Sequence, residues 1–379
     1  MNGPTVLLRP AHVLGRGAVS ALGLGVPALL DGVFAGRCGL VERARTRSWD
    51  TPTAVAGEFP PAVLQALGDG GDLAFRAALA AAREALAEAE VRADRRLGFV
   101  LASTKGDLRG VVAGDPGAGL GMPARLAQRL VHALGGGPLL GAISCACASG
   151  LVALATAARH LHLGTCEHVL VLGVDVLHPF VMAGFGSLHA LDPARCRPFD
   201  EARRGVSLGE SAAALVLGRA PGALGGSLVG HGGANDACHV TGPDRQGAGL
   251  RLAAERAIAA AGLGPRAIDV VHLHGTATAA NDSTEAIGLG ALFAGRTPPA
   301  FGTKAQTGHT LGASGVLETI VTHAVLQRGL VPANVGLEHP DVDPALDLVR
   351  APRRLERALH ALKVASGFGG VQAATVVRA

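Results

Sequence analysis

Tyrosine is absent from this 379-residue chain, tryptophan occurs once, at Trp49, and with ten phenylalanines the aromatic share is only 3%. No chemical step can therefore use a tyrosine as acid, base or nucleophile. The ring platforms on which single-stranded nucleic acids stack are missing as well. Charged residues make up 17%, and the net charge of +4 includes no long basic run, which argues against a surface that tracks phosphates along DNA. Lysine is nearly absent: of 34 basic residues only Lys105, Lys304 and Lys363 are lysines, leaving 31 arginines. Each lysine thus marks a position where a flat guanidinium would not serve. Six cysteines form no CxxC pair, which argues against a disulfide scaffold and a zinc knuckle. The segment up to Ser20 has no charged stretch followed by an unbroken apolar run, hence no leader pattern. The longest uncharged stretch, 131–158, is interrupted by Gly135, Gly136, Gly137, Pro138, Ser144 and Ser149, too many breakers for a lipid-facing helix. The expectation is a cytoplasmic protein with neither a membrane nor a nucleic-acid partner.

What is present is glycine, 55 residues or roughly twice the usual share, in a chain that is 49% hydrophobic. Helical patterns over 72–91, 122–133, 149–163, 250–262, 282–294 and 314–328 alternate with apolar strands over 97–102, 140–144, 168–173, 211–217, 268–273, 363–367 and 372–378. That alternation predicts an α/β fold. An internal echo runs through it. Ala148-Ser149-Gly150 opens a helix that stops at Gly164, and Ala313-Ser314-Gly315 opens another that stops at Gly329, an offset of 165 residues. Matched starts, lengths and stops predict a duplicated architecture. Its halves, 1–220 and 221–379, would meet near the Gly-rich turn Arg219–Ser227.

Between a predicted strand and the first echoed helix lies Ser144-Cys145-Ala146-Cys147-Ala148. Free N–H groups and the positive dipole end at a helix N-terminus favour a thiolate. Cys147, at the turn, is better placed for this than Cys145, still on the strand; the bland alternative is two small core residues. Two histidines have a matching setting. His274-Gly275-Thr276-Ala277-Thr278 follows a strand, and Gly308-His309-Thr310 precedes the second echoed helix, so a duplication would bring Cys147 and His309 to related turns. His160-x-His162 and His272-x-His274 look like metal pairs but have no third ligand segment, and no metal is expected. Gly15-x-Gly17-x-x-Ser20 is a loose dinucleotide pattern with no acidic partner, so no NAD site is expected.

Taken in order, these motifs resemble the β-ketoacyl–acyl-carrier-protein synthases, condensing enzymes of the thiolase superfamily. Gly17–Gly23, Cys147-Ala148-Ser149, Arg197-Pro198-Phe199-Asp200 through Gly209-Glu210, His274–Thr278 with Asn281-Asp282, Lys304 with Gly308-His309-Thr310, and Gly367-Phe368-Gly369-Gly370 all match that family's sequence. The resemblance implies a thiolase fold of two duplicated halves in a five-layer α-β-α-β-α arrangement, the nucleophile in the first half and both histidines in the second. It also implies roles. Cys147 would take an acyl group from a carrier-protein thioester, with its own N–H and that of Phe368 as oxyanion hole. His274 and His309 would hydrogen-bond the malonyl thioester oxygen during decarboxylation. Lys304 and Glu318 would support the His309 side electrostatically, and Thr276 and Thr278 would bind the pantetheine arm. Phe368, with Gly367 and Gly369, would gate the acyl pocket.

A second histidine in place of asparagine or cysteine fits the elongating, decarboxylating subclass, in fatty-acid or type II polyketide and polyene biosynthesis. The alternatives are a non-catalytic chain-length-factor-like subunit and a coenzyme-A-dependent thiolase or acyltransferase. Two departures stand out: Ser366 where the family commonly has a second Phe, and Cys145 where Thr or Ser is common. The chain is also short, in which it resembles aryl-polyene synthases that pair with a chain-length-factor-like partner. The expected partners are an acyl carrier protein and a second subunit, in a homodimer or a heterodimer. No cofactor is expected beyond the carrier's phosphopantetheine arm. Arg125, Arg129 and Arg203 are candidates for carrier docking.

Overall fold

The computed structural model describes residues 9–46, 53–70, 72–106, 108 and 122–379; Trp49 and the first eight residues lie outside them. Ten strands of the large sheet and six long helices position the site. The strands are β1 (Ala11–Ser20), β2 (Leu97–Ala102), β3 (Leu139–Ile143), β4 (His168–Asp175), β5 (Ser211–Gly218), β6 (Ser227–Asn235), β7 (Val270–His272), β8 (Ala300–Phe301), β9 (His360–Gly367) and β10 (Val371–Arg378). The helices are α1 (Leu73–Glu88), α2 (Pro123–Ala133), α3 (Ser149–Leu163), α4 (Ala248–Ala260), α5 (Ala279–Leu292) and α6 (Ser314–Arg328).

The sheet runs β8-β7-β9-β10-β6-β1-β5-β4-β2-β3, and Gly23–Leu24 pairs beside β1. It divides into two sets with one plan. In the first, β3, β2 and β4 are parallel, and β5 and β1 follow antiparallel. In the second, β8, β7 and β9 are parallel, and β10 and β6 follow antiparallel. Only Ala11↔Leu228 and His12↔Ser227 pair β1 with β6 across the join. Three apolar clusters separate the layers. One packs α1 and α2 on the first set, one packs α4 and α5 on the second, and the largest lies between the sets around α3 and α6. This is the five-layer thiolase arrangement.

The echoed tripeptides sit where the two central helices cross. A β-carbon on Gly150 would lie 2.7 Å from the Gly315 α-carbon, and one on Gly315 would lie 2.6 Å from the Leu151 nitrogen. Backbone meets backbone here, so nothing can move aside. Gly150→Ala is expected to cost about 1–3 kcal/mol by overpacking, read as a lowered urea midpoint with unchanged slope. An unchanged midpoint would show that the helices separate freely.

A second duplicated contact was not predicted. Gly15 and Gly17 of β1 face the carbonyls of Ala85 and Ala81 on α1, and Gly230 and Gly232 of β6 face those of Ala257 and Ala253 on α4. Each glycine pair lets a helix backbone lie directly on a strand. The Gly15-x-Gly17 pattern is therefore mid-strand, with no turn to cradle a phosphate. Glycine carries no hydropathic signal, so periodicity missed both β1 and β6. It also missed the helices Val26–Phe34, Pro61–Leu67 and Pro179–Ser187. No described helix is long and apolar enough to cross a membrane.

Candidate active site

β3 stops at Ile143, one residue earlier than expected, so Cys145 lies in the turn with Cys147. The turn is fastened by Ser149 at the start of α3. Its hydroxyl accepts the Cys145 N–H at 2.8 Å and donates to the Ala146 carbonyl at 2.6 Å. Ala146 is held at φ 48°, a left-handed conformation that costs a non-glycine residue energy. The turn delivers Cys147, buried, to the floor of a cavity of about 470 Å3.

The loop after β7 is fixed from both sides. Its carbonyls are held by lysines: Lys304 Nζ donates to the His274 oxygen at 2.5 Å and Lys363 Nζ to the Leu273 oxygen at 2.9 Å. Its N–H groups are held by carboxylates one turn apart on α5. Glu285 accepts from His274 and Gly275, while Asp282 accepts from Thr276, Ala277 and Phe199. Burial pushes the Glu285 carboxyl up to about 7 and that of Asp282 up to about 6, against the pull of these hydrogen bonds. Glu318 of α6 lies between the two lysines, one carboxylate oxygen 2.7 Å from each. Its carboxyl is pushed up by burial, but the charges of Lys304 and Lys363 outweigh that and leave it below the ordinary range.

The three lysines share one fate. Lys105 is buried on Asp175 at 2.9 Å, and Lys304 and Lys363 are buried on Glu318. The resemblance put Lys304 and Glu318 on the His309 side. The hydrogen bonds of Lys304 run instead to the His274 side, because its stem reaches the end of β7; its charge acts on both rings.

His309 Nε2 lies 3.0 Å from Cys147 Sγ, and the His274 and His309 rings stand edge to face with centroids 5.4 Å apart. Burial, followed by the charge of Lys304, drives both imidazoles well below the usual histidine value, so both are neutral near pH 7. Burial pushes the Cys147 thiol up to about 12, with Lys304 pulling the other way. The resting pair is thus a thiol beside a neutral imidazole. A nucleophile with a base in reach, and two neutral rings aimed at one cavity, can carry out acyl transfer and stabilise a nascent enolate.

Thr276, Thr278, Gly367 and Phe368 line the same cavity, as do Asn281, Phe185, Arg203, Ser366 and Gln372. The Thr276 and Thr278 hydroxyls are 2.9 Å apart. A β-carbon on Gly367 would meet the Cys145 oxygen at 3.1 Å and the Cys147 nitrogen at 3.3 Å, so the closing loop presses on the nucleophile turn. The Phe368 ring stacks on Phe185 at 5.7 Å. Gly369 lies outside the lining, its N–H given to the Val240 carbonyl. Cys145 also lies outside it.

Arg203 is corrected as a docking candidate. Its side chain is 7% exposed and tied to the Asp200 carbonyl, Ser283 and Asp341, so it builds the cavity wall. Arg129 lies on the surface, paired with Asp72 at 2.5 Å and stacked over Phe75, and Arg125 is exposed. Both ring nitrogens of His272 are hydrogen-bonded, one to the Thr322 hydroxyl and the other to the Thr303 hydroxyl, and His160 and His162 contact Thr165 and the Arg9 N–H. Sequence reasoning gave Lys363, Glu285 and Asp282 no role of their own. The available signals were the scarcity of lysine and two acids three residues apart in an Ala/Gly-rich helix.

Residues 9–223 match the family model described as beta-ketoacyl synthase, N-terminal domain, and residues 226–338 match the C-terminal domain model. The 3-oxoacyl-[acyl-carrier-protein] synthase 2 of Vibrio cholerae is 35% identical over 254 residues, an alignment covering 62% of this chain and 61% of that protein. The protein of the same name from Coxiella burnetii is 27% identical, covering 97% of this chain and 98% of its own length. A solved structure described as the ishigamide ketosynthase/chain length factor superposes with a TM-score of 0.87 at 26% identity, covering 98% of this chain and 99% of that one.

Proposed function

The chain belongs to the β-ketoacyl synthase family, and from that premise we propose that it is an elongating 3-oxoacyl–acyl-carrier-protein synthase. The observation that carries the reading is the buried Cys147 thiol 3.0 Å from His309 Nε2, with His274 facing the same cavity. In the first half-reaction Cys147 Sγ attacks the acyl thioester while its proton passes to His309 Nε2. The oxyanion is held by the N–H groups of Cys147 and Phe368. The carrier thiolate then leaves and takes that proton. In the second, His274 and His309 donate N–H hydrogen bonds to the malonyl thioester oxygen. The carboxylate departs as carbon dioxide, and the resulting enolate attacks the acyl–Cys147 carbonyl. Sγ leaves as a thiolate and is protonated from solvent, and the product is two carbons longer.

Thr276 and Thr278 bind the pantetheine arm, Lys304 and Glu318 hold the His274 loop and its charge balance, and Phe368 gates the acyl pocket between its glycine neighbours. The proposed partners are an acyl carrier protein and a second subunit, a copy of this chain or a chain-length-factor-like protein. The protein works in the cytoplasm with no metal or small cofactor, on fatty-acid or type II polyketide intermediates. The two halves, 1–220 and 221–379, act as one unit around the site.

The test is intact mass of the protein incubated with a panel of acyl-carrier thioesters, followed by malonyl-carrier. The expected result is one acyl group on the protein, then a 3-oxoacyl product two carbons longer. No acylation from any carrier thioester would overturn the reading in favour of a non-catalytic subunit. Faster acylation from free acyl-coenzyme A would favour a thiolase.

A further inference from the structure

Ser149 and Ser314 hold the same place in the two echoed helices, yet their hydroxyls are used differently. Both roles of Ser149 are set by backbone, as acceptor from Cys145 and donor to Ala146. The Ser314 hydroxyl faces side chains: His309 Nδ1 at 3.1 Å and Thr310 Oγ1 at 3.0 Å, all three residues buried.

The proposed cycle asks opposite things of His309 Nε2. It accepts the thiol proton in acyl transfer, and it donates to the thioester oxygen in decarboxylation. A neutral imidazole has one N–H. When Nε2 accepts, Nδ1 carries the proton and needs an acceptor; when Nε2 donates, Nδ1 is bare and needs a donor. A backbone carbonyl opposite Nδ1 would fix the first form, and a backbone N–H would fix the second. A hydroxyl serves both, and a second hydroxyl beside it takes up the donor or acceptor that the first leaves over as it turns.

Resting on the function proposed above, we infer that the Ser314–Thr310 hydroxyl pair is a positioning device that lets His309 adopt one tautomer for acyl transfer and the other for decarboxylation. The exchange adds a proton at one ring nitrogen and removes one at the other, with no net change. Ser149 shows the alternative in the same molecule: with its hydroxyl bound to backbone on both sides, it fixes a single geometry.

The deciding experiment is 15N NMR of histidine-labelled protein, with the His309 signals identified by their loss in His309→Gln. In the wild type the tautomer with the proton on Nδ1 is expected to predominate while Cys147 is free. Alkylating Cys147 with iodoacetamide is expected to shift His309 towards the tautomer with the proton on Nε2. In Ser314→Ala only the second tautomer is expected, before and after alkylation, because a bare buried acceptor is better tolerated than an orphaned N–H. Acyl loading of Ser314→Ala should then fall at least about tenfold, in line with one buried group left unsatisfied, while carbon dioxide release changes less than about threefold. Thr310→Val should shift both readouts in the same direction by less. A wild-type His309 that keeps one tautomer through alkylation, or equal slowing of both half-reactions in Ser314→Ala, would overturn the inference. The NMR readout needs no turnover, so it stands apart from any failure of the proposed function.

Discussion

Cys147→Ala is expected to acquire no acyl mass from any carrier thioester, yet to release carbon dioxide from malonyl-carrier within about tenfold of wild type, since its missing atom enters only the covalent step. His274→Ala is expected to do the reverse. It should load an acyl group normally and lose about 100- to 1,000-fold in carbon dioxide release, the cost of removing one preorganised donor to a developing oxyanion. The separation follows from geometry. His309 touches the sulfur at 3.0 Å, whereas His274 stands edge-on to His309 across the same cavity. Mass spectrometry and carbon dioxide trapping read the two activities independently. Parallel loss of both in His274→Ala would mean that its ring serves acyl transfer too, and the division of labour between the histidines would fail.

Glu318→Ala is expected to destabilise the fold by about 3–5 kcal/mol, the cost of leaving a buried charge without its partner, because two lysines depend on this one carboxylate. Urea unfolding measures it, and a loss under about 1 kcal/mol would show that water reaches the lysines. The pH dependence has a defined sign. The Glu318 carboxyl is pushed up by burial but held below its ordinary value by Lys304 and Lys363. Its contribution is therefore full above the unfolded carboxylate range and is lost as pH falls through the lower folded value. That acid loss should be missing in Glu318→Ala. Lys363 adds a limb at the other end. Burial lowers it from 10.5 to about 8, partly offset by Glu318. Between those values the unfolded chain binds more protons, so wild-type stability rises with pH across that window. Replacing Lys304, Glu318 and Lys363 together by methionine should restore stability, since the desolvation cost goes with the charges. It should leave catalysis slow, because the carbonyls of Leu273 and His274 lose their anchors.

The side chains proposed as catalytic were readable from the chain because the chemistry proposed for them needs cysteine and histidine at the ends of regular elements, even though the fold buries them. A cysteine before a helix and two glycine-flanked histidines are local patterns, and their order along the chain carries the family resemblance. Their support was less readable. Glu318 sits in a helix buried from Ser314 through Leu326, so no amphipathic period distinguishes it from its neighbours. Ser314 reads as an ordinary residue at a helix start until His309 is placed opposite it. Arg203 reads as one of many surface arginines until the cavity wall is seen to contain it.

The sequence by itself determined the alternation of strands and helices and the 165-residue echo, which follow from periodicity, and it singled out Cys147, His274 and His309 as candidates by side-chain type and setting, the resemblance supplying their expected roles. Only the tertiary structure decided that the echoed glycines are the crossing point of the two central helices, that glycines in β1 and β6 are seats for helix backbones, and that the scarce lysines neutralise buried carboxylates. The physical reason is the same in each case. These are contacts between segments 14 to 165 residues apart, set by close packing and by the high cost of an unpaired buried charge, and neither leaves a periodic trace in the chain.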